Sequence, residues 1–173
     1  DPAHSVVAVQ VVVELQRLFH NDLYRDYALR RIALIHAVIL SAGGIPLLYL
    51  GDEIAMLNDY GYADDPNKSE DSRWVHRRAF DWERAAQRTD PGTDAGRIFG
   101  TLRALIDLRR RTPALANGDT RFFDTHNAHV LGYVRGGQVL ALANFSEEEQ
   151  SVRLGWTPPE PTDLITGTAY PRH

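Results

Sequence analysis

The stretch that most constrains the fold reads Gly43-Gly44-Ile45-Pro46-Leu47-Leu48-Tyr49-Leu50-Gly51-Asp52-Glu53. Two glycines in a row are typical of a helix C-terminus, and the residues over 45–50 form a short apolar run without polar alternation. Strands of parallel sheets are covered on both faces and therefore read as continuous apolar runs. A helix, a glycine turn and a buried strand that ends in two acids together predict an α/β unit.

The sequence before this stretch predicts a helix over 27–40. Arg30 and Arg31 take its polar side. Its broad apolar face is filled at helical spacing by Tyr27, Ala28, Ile32, Ala33, Ile35, Ala37 and Ile39. Further upstream, the segment Ser5 to His20 is also predicted to be helical, although its β-branched valine runs favour a strand locally.

The sequence after Glu53 changes character twice. Residues 54–78 show little periodicity and many Asp, Asn, Gly and Tyr residues, which predicts a long loop of the kind that is usually functional or disordered. Its tyrosines and Trp74 favour an ordered loop. Residues 95–111 then predict a second helix, because a turn cluster precedes them and arginines in the last turn suit the helix dipole.

The last third of the chain is rich in short β segments. Strands are predicted over 120–123, 129–135, 138–144 and 150–154, with one more over 163–165. Gly136-Gly137 is a two-residue hairpin signal between two of them. We therefore place a domain boundary near Pro113, with residues 1–112 before it and an antiparallel β domain over 113–173 after it.

Composition excludes several classes of protein. The chain has 173 residues, no cysteine and a net charge of -4, which argues against a disulfide scaffold, a thiol nucleophile and nucleic-acid binding. No apolar run approaches the ~18 residues of a membrane span. The absence of cysteine is compatible with the cytoplasm, where we expect the protein to lie. Because the chain begins at Asp1 without a leader, we expect it to be a piece of something longer.

The carboxylates after the predicted strand are the first candidate site residues. Asp52 and Glu53 are neighbours, so in an extended chain their side chains point to opposite faces and cannot form the facing pair that glycoside cleavage needs. One reading makes them structural, with one capping the next segment and the other holding an arginine. The other reading places them in the wall of a polar cavity.

Four further features of the loop and the β region carry possible chemistry. Arg73, beside Trp74 in an acidic loop, is suited to clamp a carboxylate or sugar hydroxyls, but it also fits a surface ion pair. His76 is either a proton donor or a solvated loop histidine. His126 and His129 lack the further ligands of a zinc site, and the acidic run over 58–65 does not match a calcium loop, so we expect no metal and no cofactor.

The apolar run and the loop together resemble a known enzyme family. Residues 43–53 resemble the eighth barrel strand of the α-amylase superfamily, glycoside hydrolase family 13. Leu57-Asn58-Asp59 and Asn67-Lys68-Ser69-Glu70-Asp71-Ser72-Arg73-Trp74-Val75-His76-Arg77 look like the amylosucrases and the related sucrose hydrolases. The similarity runs from about residue 27 to residue 168.

The resemblance implies the fold, the reaction and the partners. It implies α/β architecture: the C-terminal portion of a (β/α)8 barrel, with its last strand over 45–50 and an active-site loop over 51–79, followed by a truncated antiparallel β-sandwich-like domain. It implies a retaining glucosyltransferase acting on sucrose and an α-glucan acceptor. It also implies that Arg73 closes the glucosyl pocket, salt-bridged to an aspartate of an early barrel strand, with Asp52 and Glu53 as further substrate-binding candidates.

The chain departs from that family in one decisive respect. The nucleophile, the acid/base and the third carboxylate lie upstream of the eighth strand in this superfamily, and residues 1–41 carry none of their motifs. We therefore predict no catalytic residue here and an isolated chain that is inactive on sucrose. Two alternatives stay open: a sucrose or α-glucoside hydrolase, and a non-catalytic module that binds carbohydrate or a partner chain. Trp74, Trp82 and Trp156 are suited to stack on sugar rings, but they also fit core and interface aromatics. Unpaired barrel edges predict association with the missing barrel segment or with itself.

Overall fold

The computed structural model describes residues 22–155 and 161–169. The helices are α1 (Asp22–Ser41), α2 (Trp82–Ala86), α3 (Asp94–Arg111) and α4 (Pro113–Asn117), and three short 3-10 helices lie between α1 and α2. The predictions of helices over 27–40 and 95–111 are confirmed. The helix predicted over Ser5 to His20 lies outside the described residues.

The described chain divides into two compact units. One holds residues 22–33 and 48–102, and the other holds 34–47, 103–155 and 161–169. Helices α1 and α3 each continue from one unit into the other. These units do not follow the single boundary near Pro113, which stays a prediction about the domains.

The first unit has two small apolar clusters. In one, Leu29 of α1 packs with Ala55 of the loop and with Ile98 and Leu102 of α3. In the other, Ile54, Ala85 and Ala95 pack together with Met56 and Phe80. Residues of the long loop therefore contribute to both clusters, which explains why a segment without periodicity is ordered.

The second unit contains an antiparallel sheet of three strands in the order β1 (Thr120–Phe123), β2 (Val130–Arg135) and β3 (Val139–Asn144). These strands confirm three of the sequence predictions. Gly136 and Gly137 have φ of 53° and 65°, so both are left-handed. Arg135 pairs with Val139, so the loop between β2 and β3 has three residues, 136–138, and not the two that the sequence predicts.

Three predicted strands do not form. Residues 45–50 pair with no strand among the described residues, and Ile45 and Leu47 are 98% and 80% exposed. A strand is held by its ladder bonds, and the described part of the chain supplies no parallel neighbour for this segment. Residues 150–154 likewise form no strand, and residues 163–165 lie in a turn beside a single bridge between Thr162 and Ala169. The second sheet of a sandwich is thus not seen in the described residues.

No helix among the described residues is long and apolar enough to cross a membrane.

Candidate functional site in the acidic loop

The loop over 51–79 is built from three 3-10 helices, Asp52–Ile54, Tyr60–Asp64 and Ser72–His76. The second and third each begin at an aspartate, because Asp59 accepts a hydrogen bond from the N–H of Gly61 and Asp71 accepts one from the N–H of Arg73. Such Asp-initiated turns fold a polar stretch locally, without help from a sheet or a long helix.

Arg73 and Asp71 form a two-bond fork. Arg73 Nε donates to Asp71 Oδ1 at 2.8 Å and Nη2 donates to Oδ2 at 2.9 Å. The arginine side chain is 74% exposed. The carboxylate that Arg73 binds is therefore a neighbour in the loop, whereas the resemblance implies an aspartate from an early barrel strand.

The fork changes the acidity of Asp71. The hydrogen bonds from the side chain and the backbone of Arg73, in that order, lower the pKa of Asp71 from 3.8 to about 2. The same carboxylate raises the pKa of Arg73. Both groups are therefore charged throughout the range in which an enzyme normally works.

Asp52 and Glu53 bind backbone N–H groups close to themselves. Asp52 Oδ2 accepts from the N–H of Tyr49 at 3.2 Å, and Glu53 Oε2 accepts from the N–H of Gly51 at 2.7 Å. Both residues are half-buried. These bonds close the turn around Gly51, which is a structural use of both side chains; their use in a substrate pocket stays a prediction.

A second polar cluster joins the two ends of the loop. Asn58 is 6% exposed, and its Nδ2 donates to the hydroxyl of Tyr60 at 3.1 Å. Its Oδ1 lies 3.1 Å from Nδ1 of His76, while the N–H of Asp59 donates to the carbonyl of Val75 at 2.8 Å. The sequence identifies His76 as a candidate but not its partner Asn58, which is 18 residues away.

Two tryptophans of this region differ in their surroundings. Trp74 is half-buried and carries two cations, with Lys68 Nζ 5.3 Å and Arg77 Cζ 5.6 Å from its ring centroid. Trp82 is 77% exposed and meets the ring of Phe80 edge-on at 4.8 Å. The third tryptophan singled out in the sequence, Trp156, lies outside the described residues.

Among residues 22–155 and 161–169, no group of three or more His, Cys, Asp or Glu side chains is arranged to hold a metal ion. His126 lies beside Asp124, with Nδ1 3.3 Å from Oδ2, and forms a surface pair.

The chain is similar to known proteins both in sequence and in structure. No model of a known protein family matches the chain. Over an alignment of 170 residues it is 29% identical to the trehalose synthase/amylase TreS of Mycobacterium tuberculosis H37Rv, which covers 82% of this chain and 28% of the relative. The protein of strain CDC 1551 / Oshkosh matches equally well.

The structure is similar to the crystal structure of a MutB mutant in complex with glucose. The TM-score is 0.57 at 22% identity, and the match covers 82% of this chain and 35% of MutB. The chain thus shares its fold with a section of MutB and spans less than a third of the trehalose synthase/amylase. The similarity to a trehalose synthase/amylase agrees with the resemblance to the α-amylase superfamily, and neither of the two similar proteins is an amylosucrase by name.

Proposed function

We propose that this chain is the C-terminal section of a retaining enzyme of the α-amylase superfamily that transfers α-glucosyl units. The observation that carries the proposal is the 29% identity to a trehalose synthase/amylase across 82% of the chain. Within that class we propose amylosucrase-like chemistry, with sucrose as donor and an α-glucan as acceptor, in a cytoplasmic protein. A hydrolase that passes the glucosyl unit to water is the close alternative.

In this proposal the section binds and orients the substrate but performs no bond cleavage. A retaining enzyme needs a nucleophile and an acid/base about 5 Å apart, and the resemblance puts both upstream. Arg73 is the residue we assign to the glucosyl pocket. The fork with Asp71 uses its Nε and Nη2 and fixes the guanidinium plane, which leaves the N–H groups of Nη1 to donate to sugar hydroxyls. Asp52 and Glu53 complete the polar wall.

Two assays test this proposal. The purified 173-residue chain is incubated with sucrose, and we expect no enzymatic release of fructose. The natural polypeptide is then weighed intact; the proposal expects a mass far above 19.5 kDa and fructose release by that longer protein. A natural mass near 19.5 kDa, or an active short chain, would contradict it.

A matched pair of variants tests the role of Arg73 in the active protein. Arg73→Gln removes the charged guanidinium donors from the pocket and is expected to lower kcat/KM for sucrose by about 100-fold, the scale of a lost charged contact in a transition state. Arg121→Gln is the control, since Arg121 makes a similar local pair with Asp119 at 2.8 Å on strand β1 and is 82% exposed. If the two variants were equally active, the assignment of Arg73 to the glucosyl pocket would be wrong.

The exposure of Trp82 favours a second candidate function, a non-catalytic carbohydrate-binding module. An indole that is 77% exposed offers a flat apolar surface on which a sugar ring can stack. Titration of tryptophan fluorescence with maltooligosaccharides separates the candidates. Saturable quenching that is lost in Trp82→Ala and retained in Trp74→Phe supports the module, and a flat response counts against it.

A further inference from the structure

We propose that Asn58 is a positioning residue that holds neutral His76 with its proton on Nδ1, so that Nε2 accepts a hydrogen bond from a substrate hydroxyl. This assignment rests on the proposed function, because it takes the acidic loop to be part of a carbohydrate site. It concerns the contact between Asn58 and His76, which belongs neither to the Asp-initiated turns of the loop nor to the Arg73–Asp71 pair.

The first support is the burial and bonding of Asn58. The residue is 6% exposed, and its amide nitrogen is occupied by the hydroxyl of Tyr60 at 3.1 Å. The amide oxygen is therefore the atom presented to His76, at 3.1 Å from Nδ1. An amide oxygen only accepts hydrogen bonds, so Nδ1 must carry the proton in this contact.

The second support is what this contact leaves open. A neutral imidazole with a proton on Nδ1 has its lone pair on Nε2. His76 is exposed, and no described residue forms a hydrogen bond or an ion pair with its Nε2. The acceptor is therefore available to a ligand rather than to the fold.

The third support is that the backbone holds together the two segments that carry Asn58 and His76. The 3-10 helices over Tyr60–Asp64 and Ser72–His76 are tied by the bond from the Asp59 N–H to the Val75 carbonyl. One side-chain and one backbone hydrogen bond thus join the segments that carry Asn58 and His76.

The ligand chemistry follows from the free atom. A neutral ring nitrogen accepts a hydrogen bond from an O–H donor and has little affinity for an anion such as a carboxylate. Hydroxyl-rich sugars supply such donors in quantity. We therefore assign Nε2 to a hydroxyl of the glucosyl substrate.

The tautomer is measured directly on the 173-residue chain. Long-range proton–nitrogen NMR spectra, recorded at alkaline pH on the neutral ring and assigned with His76→Gln, report which nitrogen carries hydrogen. We expect a protonated Nδ1 and a bare Nε2. A protonated Nε2, the form that free histidine prefers, would overturn the assignment.

Variants of Asn58 separate positioning from a general structural effect. Asn58→Asp retains an oxygen acceptor at the same place and should keep the Nδ1–H form. Asn58→Leu should lose it and give the Nε2–H form. If Asn58→Leu fails to fold, the tautomer of His76 in Asn58→Asp alone decides the test. Loss of the Nδ1–H form in that variant would contradict the role of the Asn58 oxygen.

The substrate arm uses the active, natural-length protein. His76→Gln and Asn58→Leu should each lower kcat/KM for sucrose about 10-fold, with the double variant no worse than either, and Asn58→Asp should stay within about 3-fold of the parent. Unchanged kcat/KM in His76→Gln would overturn the assignment. A wild-type protein inactive on sucrose would instead contradict the proposed function, and the tautomer result would stand on its own.

Discussion

The guanidinium of Arg73 holds the Asp71 carboxylate by two hydrogen bonds, 2.8 Å from Nε to Oδ1 and 2.9 Å from Nη2 to Oδ2. The two residues are separated by Ser72 alone, and the same carboxylate also begins the 3-10 helix that carries Arg73. The loop therefore positions its own arginine. A partner from another part of a barrel is not needed to fix this side chain, although it can still bind the remaining N–H groups.

The pKa of Asp71 tests that relationship. Its folded value is about 2 against an ordinary 3.8, so the contribution of the pair to stability is fully present above pH 3.8 and is lost as the pH falls through about 2. In Arg73→Gln we expect the pKa of Asp71 to rise towards 3.8. Carbon NMR of the carboxyl group during an acid titration measures it.

A control for this titration lies on the same loop. Arg77 lowers the pKa of Asp71 through its charge alone and is the smallest of the causes. Arg77→Gln should therefore raise that pKa far less than Arg73→Gln does. Equal effects of the two variants would show that charge, and not the fork, sets the acidity of Asp71.

The elements that could be predicted from sequence are those with a strong local signal. The helix predicted over 27–40 lies within the observed helix Asp22–Ser41, and Gly136-Gly137 correctly marks the place of the hairpin between β2 and β3, although its loop has three residues and not two. The apolar run over 45–50 carries an equally clear pattern, yet it forms no strand among the described residues. The apolar pattern indicates how a strand would be buried, but a strand also needs a neighbouring strand with which to form hydrogen bonds.

The candidate site was predictable only in part, for a related reason. The sequence offers a surface ion pair as one of two interpretations of Arg73, and the partner, Asp71, is only two residues away. Asn58 and His76 are far apart, and nothing in the sequence around Asn58 distinguishes a buried asparagine from a solvated one. Their contact arises from the folding of the loop, which periodicity does not encode.

Gly96 is expected to be essential for the start of helix α3. A Cβ at this position would lie 1.8 Å from the carbonyl oxygen of Asp90, a backbone atom that cannot move aside. Gly96→Ala should lower the free energy of unfolding by about 3 kcal/mol or more, the upper range for overpacking. Urea denaturation of both proteins measures the difference.

Gly100 provides the matched control in the same helix. A Cβ there meets no atom within 4 Å, and alanine favours the helix over glycine by roughly 0.5–1 kcal/mol. Gly100→Ala should therefore stabilise the chain. A destabilised Gly100→Ala, or a harmless Gly96→Ala, would contradict the packing around α3.

Tyr133 is expected to limit stability at high pH. It is 1% exposed, burial raises its pKa above the ordinary 10.0, and its hydroxyl lies 2.6 Å from that of Ser41. The stabilisation by the neutral phenol is fully present below pH 10 and is lost as the pH rises through the folded pKa.

Tyr133→Phe isolates this effect. The variant should lose about 1 kcal/mol at neutral pH, since one buried hydrogen bond disappears, and its stability should fall less steeply than that of the parent above pH 10. Thermal melts between neutral and alkaline pH measure both quantities. Tyr49→Phe, at a residue that is 56% exposed, should leave the dependence of stability on pH unchanged. If it reduced the slope above pH 10 as much as Tyr133→Phe does, the effect would not belong to Tyr133.

Arg109 is expected to be the most important single side chain for the ends of helices α1 and α4. Its Nη1 donates to the carbonyls of Leu40 at 2.7 Å and Leu115 at 2.8 Å, and its Nη2 donates to that of Gly44 at 2.8 Å. The last carbonyls of a helix have no partner within the helix, and a cation there also suits the dipole. Arg109→Gln should therefore cost about 2–4 kcal/mol, because one amide cannot reach these acceptors together.

The neighbouring Arg110 shows what the charge alone contributes. It is 78% exposed and lies 3.9 Å from Asp107, so Arg110→Gln should change the free energy of unfolding by no more than about 0.5 kcal/mol. Urea denaturation compares the two variants at equal net charge. A similar cost for both would mean that loss of a positive charge near the end of α3, and not the three carbonyl contacts, explains the effect at Arg109. A large loss of stability in Arg109→Gln alone is expected only if the hydrogen bonds from the guanidinium to the carbonyls of Leu40, Leu115 and Gly44 stabilise the fold.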